Sequence, residues 1–366
     1  MLAVLSGGGT AGHINPALAL AEVLQEQGHE VRFAGTPNGV EARLVPAAGV
    51  PFKAFEASGF DRSRPWTLVT GVLTIQKSTK LAKKWLKEIG ADVVVGFGGY
   101  VSIPVARAAE QLGIPVVVHE QNSVMGMANK QLSKKAFATC LTYEVASQGT
   151  SCNNPVVTGN PVRSSVLSST REEGRAMLGF PEDDLMLLVF GGSLGARHIN
   201  QALCSMKERL LAVPNLRVVH ITGPKELERV EQELALTDQE RERWMVMGYQ
   251  DRMGETMAAA DCIVSRAGAT SLAEISARAI PAVLVPFPFA TADHQTTNAQ
   301  AYVAAGCASM IADDQVESAE FAELVMRLIQ DADLRESMRQ AARAQKTADA
   351  GRRLADVVLQ AAASRN

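Results

Sequence analysis

The sequence predicts an α/β protein with parallel sheets. Short, continuously apolar runs alternate with longer helix-compatible stretches, and the alternation starts twice in the same way. Strands that are apolar throughout need cover on both faces, which the helices of crossover connections supply. Size is the third observation, since 366 residues exceed one compact core and suit two domains.

In the first half the strand candidates are 2–6, 30–34, 92–96, 115–119 and 139–142, with helical stretches such as 14–27 and 101–112 between them. In the second half they are 185–190, 217–222, 262–265 and 282–286, separated by helix-compatible runs at 196–211, 270–279 and 293–305. Each half opens on a hydrophobic strand, a glycine-rich turn and a helix. The first turn is SGGGTAG (6–12) and the second GGSLG (191–195). Two Rossmann-like units in tandem are therefore expected, over residues 1–160 and 161–349. The link is expected around 153–163, where NNPVVTGNPVR gathers turn residues and two prolines. The Ala-, Arg- and Gln-rich C-terminal stretch reads as helices, and a helix over 350–366 could pack back on the first unit.

Composition excludes several classes. With 47% hydrophobic residues and a mean hydropathy of +0.03, the chain is globular rather than disordered or fibrous. A formal charge of −3 points to neither nucleic acid nor membrane as a partner. No run approaches the roughly 18 apolar residues of a membrane span, and the N-terminus lacks the basic and apolar regions of a secretory signal. Five scattered cysteines without a C-x-x-C pair read as free thiols in a reducing cytoplasm, with no zinc spacing. No G-x-x-x-x-G-K-[ST] loop is present, which argues against a P-loop NTPase. Asp331 and Asp333 form a D-x-D triplet between helical segments, and it reads as a helix start rather than a metal site.

The chemistry-bearing residues sit at strand-to-helix turns. Gly7, Gly9 and Gly12 fit G-x-G-x-x-G, where glycines let a backbone approach phosphate and a helix N-terminus offers N–H groups. A dinucleotide site also wants an acid at the end of the second strand, and VRFAGT has none there, so a dehydrogenase loses weight. The plainer alternative is a tight turn and nothing more. His13 follows the loop at the first turn of the helix. It is placed either to take a proton from a hydroxyl or simply to cap and pack locally. GFGGYVS (96–102), with Gly98, Gly99 and Tyr100, and HEQN (119–122), with Glu120 and Asn122, add polar groups at two further strand ends. Three such clusters in one half point to a site. In the second half, Ser193 lies in the first turn, and RAGATSLAE (266–274) places small residues where a diphosphate could meet a helix N-terminus. On spacing alone Glu274 is a solvated helix carboxylate, although it could accept hydrogen bonds from a ribose diol. Asp293 and Gln295 could contact a sugar.

Taken together, GGGTAGH (7–13), VGFGGYVS (95–102), HEQN (119–122), GNPVR (159–163), GGSLGA (191–196), SRAGATSLAEI (265–275) and the DHQ within ATADHQTTNA (290–299) resemble one family nearly end to end. That family is the MurG glycosyltransferases of glycosyltransferase family 28, which make the second lipid intermediate of bacterial peptidoglycan. The resemblance implies a GT-B fold, two Rossmann-like domains facing across a cleft. It implies an inverting transfer of GlcNAc from UDP-GlcNAc to the C4 hydroxyl of N-acetylmuramoyl-pentapeptide on undecaprenyl diphosphate. It places Thr10, Ala11 and Gly12 near the donor sugar and diphosphate, Asn122 on the GlcNAc, and Arg163 and Ser193 by the diphosphate and nucleotide. Tyr249 falls where the family holds uracil through backbone groups. Ala269, Thr270, Ser271, Leu272, Ala273 and Glu274 surround the diphosphate and ribose, and Gln295 meets the sugar. His13 becomes the candidate general base, with Gly98, Gly99, Tyr100 and Glu120 on the acceptor side. No metal or other cofactor is implied as required. Ala11 and Ile103 stand where the family more often has glycine, and tolerance is expected at Ala11.

Charge read locally differs from the total. Residues 1–150 hold 14 basic against 11 acidic residues, a net +3, and the rest hold 22 against 28, a net −6. Within 62–87 lie seven bases (Arg62, Arg64, Lys77, Lys80, Lys83, Lys84, Lys87) and no acid, interleaved with Val69, Val72, Leu73, Ile75, Leu81 and Trp85. On its own this reads equally as a basic helix with its apolar face in the core. The resemblance turns the reading toward a peripheral contact with anionic lipid on the cytoplasmic face of the inner membrane, which Lys134 and Lys135 could extend. The alternatives are a nucleotide-sugar epimerase or hydrolase of the same architecture and a non-catalytic nucleotide-sugar binding module. Neither needs such a patch.

Overall fold

A computed structural model describes residues 1–57, 66–192 and 195–365, with the backbone alone for 66–72. The chain divides into two compact units, Met1–Arg163 with Asp349–Asn366, and Ser164–Ala348. Unit 1 runs β1 (Leu2–Gly7), α1 (Ala11–Glu26), β2 (Glu30–Gly35), α2 (Glu41–Ala47), β3 (Phe52–Ala54), α3 (Trp66–Ile89), β4 (Val93–Gly98), α4 (Ser102–Gln111), β5 (Val116–Glu120), α5 (Met127–Leu132), β6 (Ala138–Leu141) and β7 (Pro155–Val157). Unit 2 runs α6 (Ser164–Ser168), α7 (Arg171–Leu178), β8 (Leu185–Phe190), α8 (Arg197–Ser205), α9 (Lys207–Leu211), β9 (Leu216–Ile221), α10 (Leu227–Leu234), α11 (Asp238–Arg241) and β10 (Trp244–Met247). It continues through α12 (Met253–Ala259), β11 (Cys262–Ser265), α13 (Ala269–Ala277), β12 (Ala282–Leu284), α14 (His294–Ala304), β13 (Ala308–Met310), α15 (Ala319–Gln330) and α16 (Ala332–Ala344). The last helix, α17 (Ala350–Ala363), belongs to unit 1.

Both sheets are parallel throughout and share one plan. Unit 1 is ordered β3-β2-β1-β4-β5-β6-β7 and unit 2 β10-β9-β8-β11-β12-β13. In each, the chain reverses its direction of travel across the sheet beside the first strand, between β1 and β4 and between β8 and β11. Open α/β sheets bind ligands at that switch point, above the carboxyl ends of the strands. Each sheet is apolar on both faces because helices cover both. In unit 1, α1 and α17 pack on one face through Ile14, Leu20, Leu354 and Val358, and α3 and α4 on the other through Leu86 and Val105. In unit 2, α8, α10 and α15 cover one face and α12, α13 and α14 the other.

The expected strands are present within two residues, but the sheets are larger than expected. The strands β3, β7, β10 and β13, of three or four residues each, are additional edge strands. The expected link is one such place. Pro155–Val157 is the edge strand β7, and the first segment of unit 1 ends at Arg163. The 196–211 run is two helices broken at Met206. Asp331 caps α16 by accepting from the Leu334 N–H at 2.8 Å, the helix-start role read from its spacing.

Candidate active site

In unit 1 the ends of β1, β4 and β5 bring the predicted residues together. Gly99 sits at φ +79°, and a Cβ there would press on the Gly8 carbonyl at 2.6 Å, so the β4–α4 loop lies directly on the β1–α1 loop. The Ser102 hydroxyl donates to the carbonyls of Ser6 (2.9 Å) and Gly98 (2.7 Å), which locks the two loops. Thr10 is the extended N-cap residue of α1, and His13 lies in the first turn. The His13 Nδ1 is 2.9 Å from the Gly8 carbonyl oxygen and 3.3 Å from the Thr10 hydroxyl. A carbonyl can only accept, so neutral His13 carries its proton on Nδ1 and its lone pair on Nε2. Nε2 faces Gly98, where a Cβ would come within 3.0 Å of it. By contrast, a Cβ on Gly12 would meet only ordinary contact with Thr10, at 3.5 Å.

The β5 end is a buried polar knot. Glu120 is 2% exposed, and its carboxylate accepts from the N–H groups of Asn122 (3.1 Å) and Gly126 (2.9 Å) and from the side-chain amides of Asn122 (3.3 Å) and Asn129 (2.8 Å). Glu120, expected on the acceptor side, ends β5 in unit 1. Its oxygens are taken up in holding the 120–129 loop, with Asn122 half-buried at its start. His119 donates from Nε2 to the Gly159 carbonyl (2.9 Å), and burial pushes its pKa down to about 4 against that bond, so it is neutral. Asn129, which the sequence reading missed, ties the His119 carbonyl to Glu120. Tyr100 is exposed beside the glycines. Arg163 donates to the Glu22 carboxylate of α1 at 2.5 Å, a half-buried pair within unit 1.

In unit 2 the SRAG turn after β11 meets the loop after β12. Gln295 accepts at Oε1 from the N–H groups of Ala267 (3.2 Å) and Phe287 (3.0 Å). Two donors fix that atom as the oxygen, which leaves its NH₂ as the donor Gln295 can offer a ligand. Arg266 donates to the carbonyls of Val285 (3.2 Å) and Pro286 (3.1 Å), pairs with Asp313, and stacks on Phe287. Gly268 is the N-cap position of α13, open around its Cα, and the buried hydroxyl of Thr270 just inside the helix has no hydrogen-bond partner. Thr270, Ser271 and Glu274 are half-buried. Leu272 and Ala273, expected around the diphosphate and ribose, lie inside α13. Both side chains are buried, and the Leu272 N–H is spent on the Gly268 carbonyl. Ala269 is also buried at its side chain, while Tyr249, after β10, is exposed. Ser193 lies outside the described residues. Phe289, 84% exposed on the loop after β12, carried no signal in the sequence. Among the described residues, no group of His, Cys, Asp and Glu side chains is gathered to hold a metal ion.

The basic segment divides by face. Leu73, Lys77, Lys80, Leu81, Lys84 and Lys87 form the exposed side of α3. Trp85 is half-buried, and its ring packs on Phe55 at 5.5 Å at the edge of the core. Ile75 and Lys83 are half-buried, and Lys83 donates to Gln111. Arg62 and Arg64 lie outside the described residues, as do the side chains of Val69 and Val72. Among the described residues, no helix is long and apolar enough to cross a membrane.

Two Rossmann-like units of one strand order, each with polar and glycine-rich loops at its switch point, define a GT-B-like, two-domain enzyme fold. The chain belongs to glycosyltransferase family 28, with the family's N-terminal domain matching residues 3–140 and its C-terminal domain residues 186–354. It is 41% identical over 363 residues to the UDP-N-acetylglucosamine–N-acetylmuramyl-(pentapeptide) pyrophosphoryl-undecaprenol N-acetylglucosamine transferase of Leuconostoc mesenteroides, covering 99% of both chains. The Bacillus subtilis protein of the same name is 36% identical over 360 residues, covering 98% of this chain and 99% of that one. The crystal structure of Acinetobacter baumannii MurG superposes with a TM-score of 0.74 at 30% identity, covering 98% of this chain and 99% of that one.

Proposed function

We propose that this enzyme transfers GlcNAc from UDP-GlcNAc to the C4 hydroxyl of muramoyl-pentapeptide carried on undecaprenyl diphosphate, with inversion, in peptidoglycan synthesis. The observation that carries the chemistry is the His13 ring, held by its Nδ1–H on the Gly8 carbonyl with Nε2 left as an acceptor. Direct displacement at the anomeric carbon needs the acceptor hydroxyl deprotonated as it attacks, and Nε2 is the group that takes that proton. Gly98, Gly99 and Tyr100 border it on the acceptor side. Thr10, Ala11, Gly12 and Asn122 are assigned to the donor sugar and its diphosphate, and Arg163 and Ser193 to the diphosphate and nucleotide.

The departing UDP needs stabilisation of its growing negative charge. The N-terminus of α13, the Thr270 and Ser271 hydroxyls and the Gln295 NH₂ supply donors for it. Glu274 takes the ribose diol and the Tyr249 segment the uracil. In this reading departure proceeds without a required metal, which equal turnover in chelator and in magnesium would support. Exposed lysines and leucines along α3 support a peripheral contact with anionic lipid at the cytoplasmic face of the inner membrane. Radiolabelled UDP-GlcNAc incubated with a short-chain lipid acceptor should yield a disaccharide-lipid. No product with the donor still bound would overturn the transferase reading, and a changed free sugar nucleotide would favour an epimerase or hydrolase. Reversing Lys77, Lys80, Lys84 and Lys87 to Glu should release the enzyme from anionic vesicles while sparing transfer to a soluble acceptor.

A further inference from the structure

Glu41 is the first residue of α2 and is fully buried, yet no step of the transfer described above uses it. Its carboxylate is built in. Oε1 accepts from the Thr36 N–H (3.0 Å) and hydroxyl (2.5 Å), and Oε2 accepts from the Gly9 N–H (3.2 Å). Three glycines line the side chain because nothing larger fits. A Cβ on Gly8 or Gly39 would collide with its carboxylate, and one on Gly35 would lie 2.6 Å from its Cγ. Burial works against its charge, but the bonds from Thr36 and Gly9 outweigh burial and hold the carboxyl below its usual range, so it is an anion.

The Gly9 N–H that meets Glu41 and the Gly8 carbonyl that meets His13 belong to one peptide unit. A single line of hydrogen bonds therefore runs from carboxylate, through one peptide plane, to imidazole. We propose that Glu41 is the positioning residue for His13, an acid–peptide–histidine relay in which the carboxylate acts through the Gly8–Gly9 peptide. A carboxylate on the N–H side polarises the amide and makes its carbonyl a stronger acceptor, because hydrogen-bonded chains reinforce one another. That carbonyl then fixes the Nδ1–H tautomer and supports the imidazolium formed when Nε2 takes a proton. A carboxylate bonded directly to a catalytic histidine does the same work. Thr10 and Gly98 beside the ring are uncharged, and Glu120 is bonded to Asn129 on the other side of Gly98. The relay also gives the first glycine loop a second role. One of its N–H groups is satisfied from inside the protein, and the loop serves to present a base as well as to approach a ligand.

This proposal rests on the transferase reading with His13 as base, and its test separates the two. Wild type and His13→Ala are assayed first for transfer, and the transferase reading stands or falls there. In Glu41→Gln, kcat should then fall about tenfold or more, the size typical of losing a group that orients a histidine. The KM for UDP-GlcNAc should stay near wild type, and the acidic limb of kcat/KM should move to lower pH. Adding Glu41→Gln to His13→Ala should cost nothing further. An unchanged pH profile, or a full additional loss in the double variant, would overturn the relay. Should Glu41→Gln not fold, ¹⁵N NMR of the wild-type histidines decides. The relay requires His13 protonated at Nδ1 when neutral, and a proton on Nε2 instead would overturn it.

Discussion

The two units are built on the same strand order and use their glycine-rich turns in different ways. In unit 1 the turn is loaded from inside, with Glu41 on the Gly9 N–H, the Gly8 carbonyl on His13, and Gly99 pressed onto Gly8. In unit 2 the helix start after β11, which matches β4 in the strand order, is framed rather than filled. Gln295 and Arg266 tie the neighbouring loops by their backbone, and the Thr270 hydroxyl is left without a partner. A turn loaded with its own carboxylate and histidine is suited to move a proton. One that is braced at its rim and open at its centre is suited to receive charge from a ligand. A shared sheet plan therefore does not mean shared chemistry; what a loop is bonded to decides it.

The largest effect that tests this division is on His13. His13→Ala should lower kcat by about 10²- to 10⁴-fold, the range of a lost general base, with donor affinity little changed. An equal loss of donor affinity would erase the distinction between the two turns. Next comes Gly99→Ala, which meets both a left-handed backbone and the Gly8 carbonyl. It should cost about 2 kcal/mol or more in denaturant unfolding, whereas Gly12→Ala should fold normally.

Each unit also buries a neutral histidine, His119 at about 4 and His220 at about 3, both below the ordinary 6.5 chiefly through burial. The unfolded chain takes up these protons below about pH 6.5 and the folded units do not. The stability is therefore fully present above pH 6.5 and drains away toward pH 4, by up to about 1.4 kcal/mol per pH unit for each histidine. Asparagine at either position should flatten the pH dependence of unfolding in its own unit. The smallest effect is expected from Gln295→Ala, about a tenfold weaker UDP-GlcNAc affinity for the loss of a hydrogen-bonding side chain. Turnover of saturated enzyme should change less.

Much of the fold was legible because a sheet covered on both faces writes its strands as apolar runs. The 185–190 and 262–265 expectations coincide with β8 and β11. The short outer strands β3, β7, β10 and β13 were not, since at the sheet edges their residues are partly exposed and give no continuous apolar run. In the site, the glycine turns and His13 were visible as local motifs. Glu41 was not, because its bond to Gly9 spans 32 residues and nothing near Glu41 announces it. Nor does the sequence show that Glu120 is held by the donors of its own loop, or that Trp85 packs on Phe55.

The return of α17 to unit 1 has a consequence for how the protein is made. Leu354, Ala355, Val358 and Ala361 complete a hydrophobic layer whose other members, Ile14, Leu20 and Leu24, leave the ribosome more than three hundred residues earlier. Unit 2 is contiguous, from Ser164 to Ala348, and has its whole core in hand while unit 1 still lacks a helix. The first part of the chain to be synthesised is thus the last to close. Until it does, the apolar face of α1 that α17 will cover stands bare, the kind of surface through which folding intermediates aggregate.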